Sequence, residues 1–293
     1  MQNNNARLGI ILMLSATLVF AIQDGLSRQL ADKYNVMTVV VIRYWFFAAF
    51  VVAWSYFQGH GVCKVAQTAH PILQALRGML LVAEICVAIT AYTVIGLIET
   101  HAVFACYPLI VIALSGPLLG ESVGWRRWLA VAVGFIGVVI ILRPGSDVFS
   151  LQALVPLLAA VMFAIYSLLT RYVARKDRAM TSLFWTGISG VVGISLIAPF
   201  YWTPMVGTDW WWMAALCITG VLGHFLLIKA LEVADAGSTQ PFAYFHLVFV
   251  SVIGLFIFGE SLDLMIVVGA SIIVASGLFT IWRAHVNRHA QKS

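Results

Sequence analysis

The sequence predicts an all-α, polytopic membrane protein of ten transmembrane helices, arranged as two inverted five-helix repeats. Three observations carry that expectation. Of 293 residues, 62% are hydrophobic and only 10% charged, with a mean hydropathy of +0.97, far from a soluble domain's balance. The apolar runs are helix-long, and hydrocarbon accepts only helices of about 20 residues or closed barrels, because an unpaired backbone group there costs several kcal/mol. Finally, "FAIQDGLSRQLADK" (Phe20 to Lys33) returns mid-chain as "FAIYSLLTRYVARK" (Phe163 to Lys176), with an arginine in the same slot but no aspartate.

The spans follow in order. The first, 8–30, begins after Arg7 and lacks a small-residue cleavage site; its recurrence at Phe163 marks it as a structural helix rather than a secretory signal. The second, 37–57, carries Arg43, and the third, 73–93, starts after Pro71 and carries Glu84. The fourth, 100–119, contains Pro108 and Pro117, and the fifth, 127–143, stops at Pro144. In the sixth, 151–173, Pro156 sits in the first turn, where a missing amide is harmless. The seventh, 180–202, contains Pro199 and ends before Pro204; it sets Gly187, Gly190 and Gly193 loosely on one face, which permits close helix contact. Trp210, Trp211 and Trp212 open the eighth, 210–231, as an interfacial belt. The ninth, 239–258, has Pro241 in its first turn, and the tenth, 263–283, leaves 284–293 as a cytoplasmic tail. Linkers this short leave no room for a soluble domain.

Under an offset of 143, Phe20, Ala21, Ile22, Leu26, Arg28, Ala31, Lys33, Met37 and Thr38 all meet the same residue type. A second match joins the GES of "GPLLGES", ending at Ser122, with that of "GLFIFGES", ending at Ser261, each followed by a last span holding Gly137 or Gly277. The first repeat is therefore 8–143 and the second 151–283. Five is odd, so the second copy enters the membrane from the opposite side. Inverted repeats enclose a midplane site and expose it alternately to either face, which favours a transporter over an enzyme or a scaffold.

Lysine and arginine in short loops are retained on the cytoplasmic side. With the N-terminus inside, the inner segments hold thirteen of the 17 basic residues, Arg77 and Lys229 among them, and the outer ones only Arg28, Lys33 and Arg143. Both termini are placed in the cytoplasm, and the net charge of +5 is a topology signal rather than a nucleic-acid surface. Cys63, Cys86, Cys106 and Cys217 show neither CxxC nor His-paired spacing, so neither a disulfide framework, a metal site nor a cofactor is indicated. Lipid and a small molecule are the expected partners, as monomer or homodimer.

The doubled "FA...L[ST]R" opening, Arg43 in the second span and the two GES endings resemble the EamA-type transporters of the drug/metabolite transporter superfamily, over nearly the whole chain. Within that group the sequence is most similar to YddG-type exporters of amino acids, aromatic ones included. The resemblance implies ten helices, a cavity between the halves and efflux across a bacterial inner membrane without ATP. The family often has a proline early in the second span, where this chain has Thr38.

Asp24 and Arg43 are equidistant from the middle of the 31–36 loop, so a tight hairpin puts them at one depth as a candidate ion pair, offsetting part of the cost of charge in the bilayer. Arg28, one turn beyond Asp24, is a competing partner. The cluster either holds the hairpin together or serves a substrate carboxylate; Ser167 and Thr186 at the matching positions of the second copy make it asymmetric. Glu84, near mid-depth with no basic neighbour evident, can carry a proton, attract an ammonium or sit in a hydrogen bond. His224 and His246 flank a short turn at one depth and are candidates for substrate binding or hydrogen-bonded core. Of the deep aromatics, Tyr92, Tyr107, Tyr166, Trp185 and Tyr244 are candidate cavity walls, with Tyr44 and Trp45 equally able to face lipid or neighbouring helices. The expected function is export of amino acids or related metabolites by alternating access. A nucleotide-sugar or sugar-phosphate carrier would need several deep basic groups, and an intramembrane enzyme a nucleophile and base, of which no GxSxG, HExxH or paired-carboxylate pattern is present.

Overall fold

The computed structural model describes residues 6–57, 61–119, 124–142, 151–234 and 242–290. The first GES motif, Arg143, Pro144, Pro241 and Lys292 lie outside them. Twelve helices are assigned among these residues: α1 (Ala6–Tyr34), α2 (Val36–Phe57), α3 (Gly61–Ala66), α4 (Pro71–Ile95), α5 (Leu97–Phe104), α6 (Tyr107–Leu119), α7 (Trp125–Leu142), α8 (Val155–Val173), α9 (Ala179–Ser195), α10 (Asp209–Val233), α11 (Phe245–Phe256) and α12 (Leu264–Ala290). Six helical stretches are long and apolar enough to cross a membrane, and four more apolar helices are 10–17 residues long.

Departures from the expected spans have local causes. The fourth breaks into α5 and α6 at Ala105 and Cys106, because Pro108 has no amide and its ring crowds the carbonyl four residues earlier. Pro199 ends α9 at Ser195 in the same way, leaving a single 3-10 turn over Ala198–Tyr201. The short α3 was not expected, and α12 continues through most of the proposed tail. Two spans are joined by one residue each. Asn35, at φ 67°, turns α1 into α2 and caps it by accepting the Thr38 amide at 3.0 Å. Gly96, at φ 95°, turns α4 into α5.

Packing pairs helices from opposite halves, antiparallel. Along α1, Phe20 faces Gly223 and His224 of α10, and Lys33 and Tyr34 donate to Asp209 at the start of α10. On α2, Tyr44 covers Gly190 and Phe47 covers Gly187 of α9, so numbers rise on one helix as they fall on the other. Arg77, near the start of α4, reaches Tyr166 and Thr170 near the end of α8. Between α7 and α12, a Cβ on Gly137 would stand 2.6 Å from the Gly269 carbonyl oxygen, and one on Gly269 equally close to that of Gly137.

One end of the bundle is pinned by Asp177, in the α8–α9 linker, which accepts from the Thr68 hydroxyl, the Ala69 amide (3.1 Å) and Gln74 Nε2 (2.8 Å). Burial alone would raise this carboxyl, but those hydrogen bonds and the neighbouring His70 hold it below the ordinary 3.8. Arg77, read from sequence as a flanking charge, is instead fully buried. Its Nε donates to Gln74, Nη1 to Tyr166 and Thr170, and Nη2 to the Ser182 carbonyl and Thr186. At the opposite end Arg28 pairs with Glu260, whose two oxygens accept the Leu97 and Ile98 amides at 2.7 and 2.8 Å. A carboxylate at the start of α5 suits the partial positive charge there. The second GES motif thus supplies the cap of a helix in the first half.

Candidate functional site

Between the halves lies a cavity of about 680 Å³, counted out to its open mouth, lined from α1, α2, α4, α5, α6, α8, α10 and α11. Seven of the ten residues singled out from sequence line it: Asp24, Arg43, Glu84, Tyr92, Tyr107, His224 and His246. The other three do not. The Tyr166 hydroxyl accepts from Arg77, and the Trp185 indole donates to the Ala66 carbonyl at 3.0 Å. Tyr244 packs its buried hydroxyl against Gly277 of α12.

The expected Asp24–Arg43 ion pair is absent among the described residues. α1 leans on α10 and α11 while α2 leans on α9, so the two side chains belong to different neighbours. Asp24 Oδ2 lies 3.0 Å from His101 Nε2 and 3.0 Å from His246 Nε2. His101 Nδ1 is 3.0 Å from the Leu97 carbonyl oxygen, and Tyr92 stacks on its ring at 5.1 Å. Arg28, the competing partner, is taken by Glu260, and Lys229 by Glu232.

Arg43 is 2% exposed, and its Nε and Nη2 have no hydrogen-bond partner among the described residues. Gly220 of α10 makes room for it: a Cβ there would stand 2.9 Å from Arg43 Nε. Glu84, 4% exposed, faces the same cavity and makes no hydrogen bond among the described residues. His224 likewise leaves Nδ1 without a partner, its ring edge-on to Phe20 at 5.2 Å. The apolar wall is Phe20, Phe104, Tyr107 and Phe163, with Tyr107 and Phe163 edge to face at 5.0 Å. Chemically, the cavity offers one cation and one carboxyl with unused bonding capacity, inside a largely aromatic shell.

The two halves of the sequence separately match one description, the EamA-like transporter family, over residues 7–143 and again over 151–282. The chain belongs to the EamA-like transporter family. EamA-like relatives align almost end to end. An S-adenosylmethionine uptake transporter of Rickettsia bellii is 30% identical over 283 residues, with 94% of each chain covered. One from Rickettsia prowazekii is 28% identical, covering 94% of this chain and 92% of the relative. A riboflavin transporter of Vibrio cholerae is 29% identical, covering 96% and 95%. A crystal structure at 16% identity superimposes with a TM-score of 0.68, covering 95% of this chain and 98% of the other, and shows the shared fold. The protein is therefore a membrane transporter of the EamA-like family, and its relatives above are named for S-adenosylmethionine and riboflavin, not for amino-acid export.

The cavity of this EamA-like chain also contains residues not singled out from sequence, namely Phe20, Phe104 and Phe163 of the wall and the ionisable His101. His101 was overlooked because it stood at the margin of the expected fourth span. A histidine two residues after Glu99 in an otherwise apolar run was the available signal.

Proposed function

We propose that the protein is a secondary carrier moving S-adenosylmethionine, or a closely similar metabolite joining an amino-acid head to an aromatic ring, across a bacterial inner membrane. In this reading the halves 8–143 and 151–283 are an inverted repeat of ten spans. The antiparallel pairing of α1 with α10, α4 with α8, α2 with α9 and α7 with α12 supports it. The cavity between them is exposed alternately to either face, without a cofactor or chemical change to the substrate.

The observation that carries the substrate class is Arg43. A buried guanidinium with unused donors is costly unless something pairs with it, and a planar carboxylate is its best-matched partner. Glu84 then meets the substrate's ammonium or sulfonium, and the rings of Phe20, Phe104, Tyr107 and Phe163 receive the flat base. S-adenosylmethionine has all these parts, which joins the amino-acid reading of the sequence to what the Rickettsia relatives are named for. The direction follows those relatives as uptake, in place of the export expected from sequence. Riboflavin is the second reading, favoured by the Vibrio cholerae relative and the aromatic wall, but it has no carboxylate for Arg43. Anionic sugar phosphates fit worse, since the other buried arginine among the described residues, Arg77, spends its donors on Gln74, Tyr166, Thr170, Ser182 and Thr186.

Proteoliposomes preloaded with unlabelled S-adenosylmethionine test this. They should accumulate the labelled compound by counterflow, with little competition from riboflavin. Counterflow of riboflavin alone would reverse the assignment, and movement of neither would end it.

A further inference from the structure

We propose that Asp24, His101 and His246 form a proton-binding site of the carrier, holding one extra proton while α1, α5 and α11 are together and releasing it when they part. This deepens, and rests on, the reading of the cavity as a transport site.

A backbone carbonyl only accepts, so the 3.0 Å contact between His101 Nδ1 and the Leu97 oxygen puts a proton on Nδ1. In a neutral ring Nε2 is then a lone pair, yet it lies 3.0 Å from Asp24 Oδ2, another acceptor when ionised. Two acceptors that close repel. One proton between them turns the contact into a charge-assisted hydrogen bond, whether it rides on the imidazole or the carboxyl. His246 Nε2, 3.0 Å from the same oxygen, completes the set by donating its own N–H and needs no added charge. A tetrahedral metal fits poorly, because donor atoms bound to one at 2.0–2.1 Å sit ~3.3 Å apart, longer than these hydrogen-bond distances; the three donor atoms lie within 4.8 Å of one another, so a bound metal is one of the outcomes of the test.

The other ionisable groups lining the cavity with Asp24 are Arg43 on α2, Glu84 and Tyr92 on α4, Tyr107 on α6 and His224 on α10. Arg28, one turn along α1, is engaged by Glu260 from the segment after α11. Removing the shared proton restores the acceptor clash. Either His101 gives up Leu97 or α5 moves away from α1. Both loosen the junction one turn below the bridge that Arg28 and Glu260 make to the start of α5. Proton release and opening at this end are therefore one event.

The test is ¹⁵N-histidine NMR of the full chain in nanodiscs, with Asp24 followed by infrared spectroscopy and His101→Gln identifying the signal. Near neutral pH the expected result is either His101 protonated on both nitrogens or Asp24 carrying a proton. In Asp24→Asn, whose amide can donate to His101 Nε2, the extra proton should vanish. A neutral His101 beside an ionised Asp24 throughout about pH 5 to 9 would overturn the proposal, as would a stoichiometric bound metal. In wild-type proteoliposomes with an entrapped pH dye, net S-adenosylmethionine flux should move about one proton per substrate. Substrate flux without proton movement refutes the proton site alone. A spectroscopic proton site without any S-adenosylmethionine counterflow refutes the substrate assignment alone.

Discussion

Arg43 is the residue on which the substrate reading turns. Hydrogen bonds to a charged group contribute about 1.5–3 kcal/mol, so deleting that guanidinium should weaken transport about 10- to 100-fold. Arg43→Gln is expected to show that loss in counterflow while keeping wild-type yield and monodispersity; unchanged kinetics would remove Arg43 from the site. Much of this was legible, because Asp24, Arg43 and Glu84 are ionisable groups inside runs that otherwise exclude charge. Their partners were not. Counting from a turn gives depth along a helix but not the direction a side chain faces, and direction separates Asp24 from Arg43 and delivers it to His101 and His246. The same gap explains Tyr166, buried yet turned toward Arg77.

Elements hold together through close approaches that glycine allows and through polar clamps at their ends. The reciprocal contact of Gly137 and Gly269 leaves no space for a side chain against the facing carbonyl. Gly137→Val is expected to separate α7 from α12 and lower the apparent melting temperature in detergent by several degrees; an unchanged value would show that the two helices do not rely on this contact. Asp177 gives a pH-dependent clamp. Its folded carboxyl lies below the ordinary 3.8, so its contribution is complete above that value and lost as pH falls through the lower, folded one. Acid should therefore loosen the α8–α9 linker from Thr68 and Gln74, detected as faster proteolysis there, and Asp177→Asn should make cleavage insensitive to pH in that window. At element scale most helices were readable from apolar length alone. The breaks at Ala105 and after Ser195 were not placed, although Pro108 and Pro199 were both noted, since membrane helices often tolerate proline.

Across the whole molecule, the pairing of helices exchanges the two halves: α1 lies on α10 as α8 lies on α4, while α2 meets α9 and α7 meets α12. Duplication was legible because residue types recur at a fixed offset. A chamber between the halves was expected too, but its wall was only partly legible, because it arises where unlike faces of the two copies meet and depends on asymmetric residues such as Asp24 against Ser167. The central claim is that this chamber opens in turn to either side. Ala88 lines it without carrying charge and is 5% exposed. In a chain lacking Cys63, Cys86, Cys106 and Cys217, Ala88→Cys should react with a membrane-impermeant thiol reagent applied from either face of the vesicle, each time more slowly with saturating S-adenosylmethionine. Reaction confined to one face under every condition of substrate and pH would contradict the account.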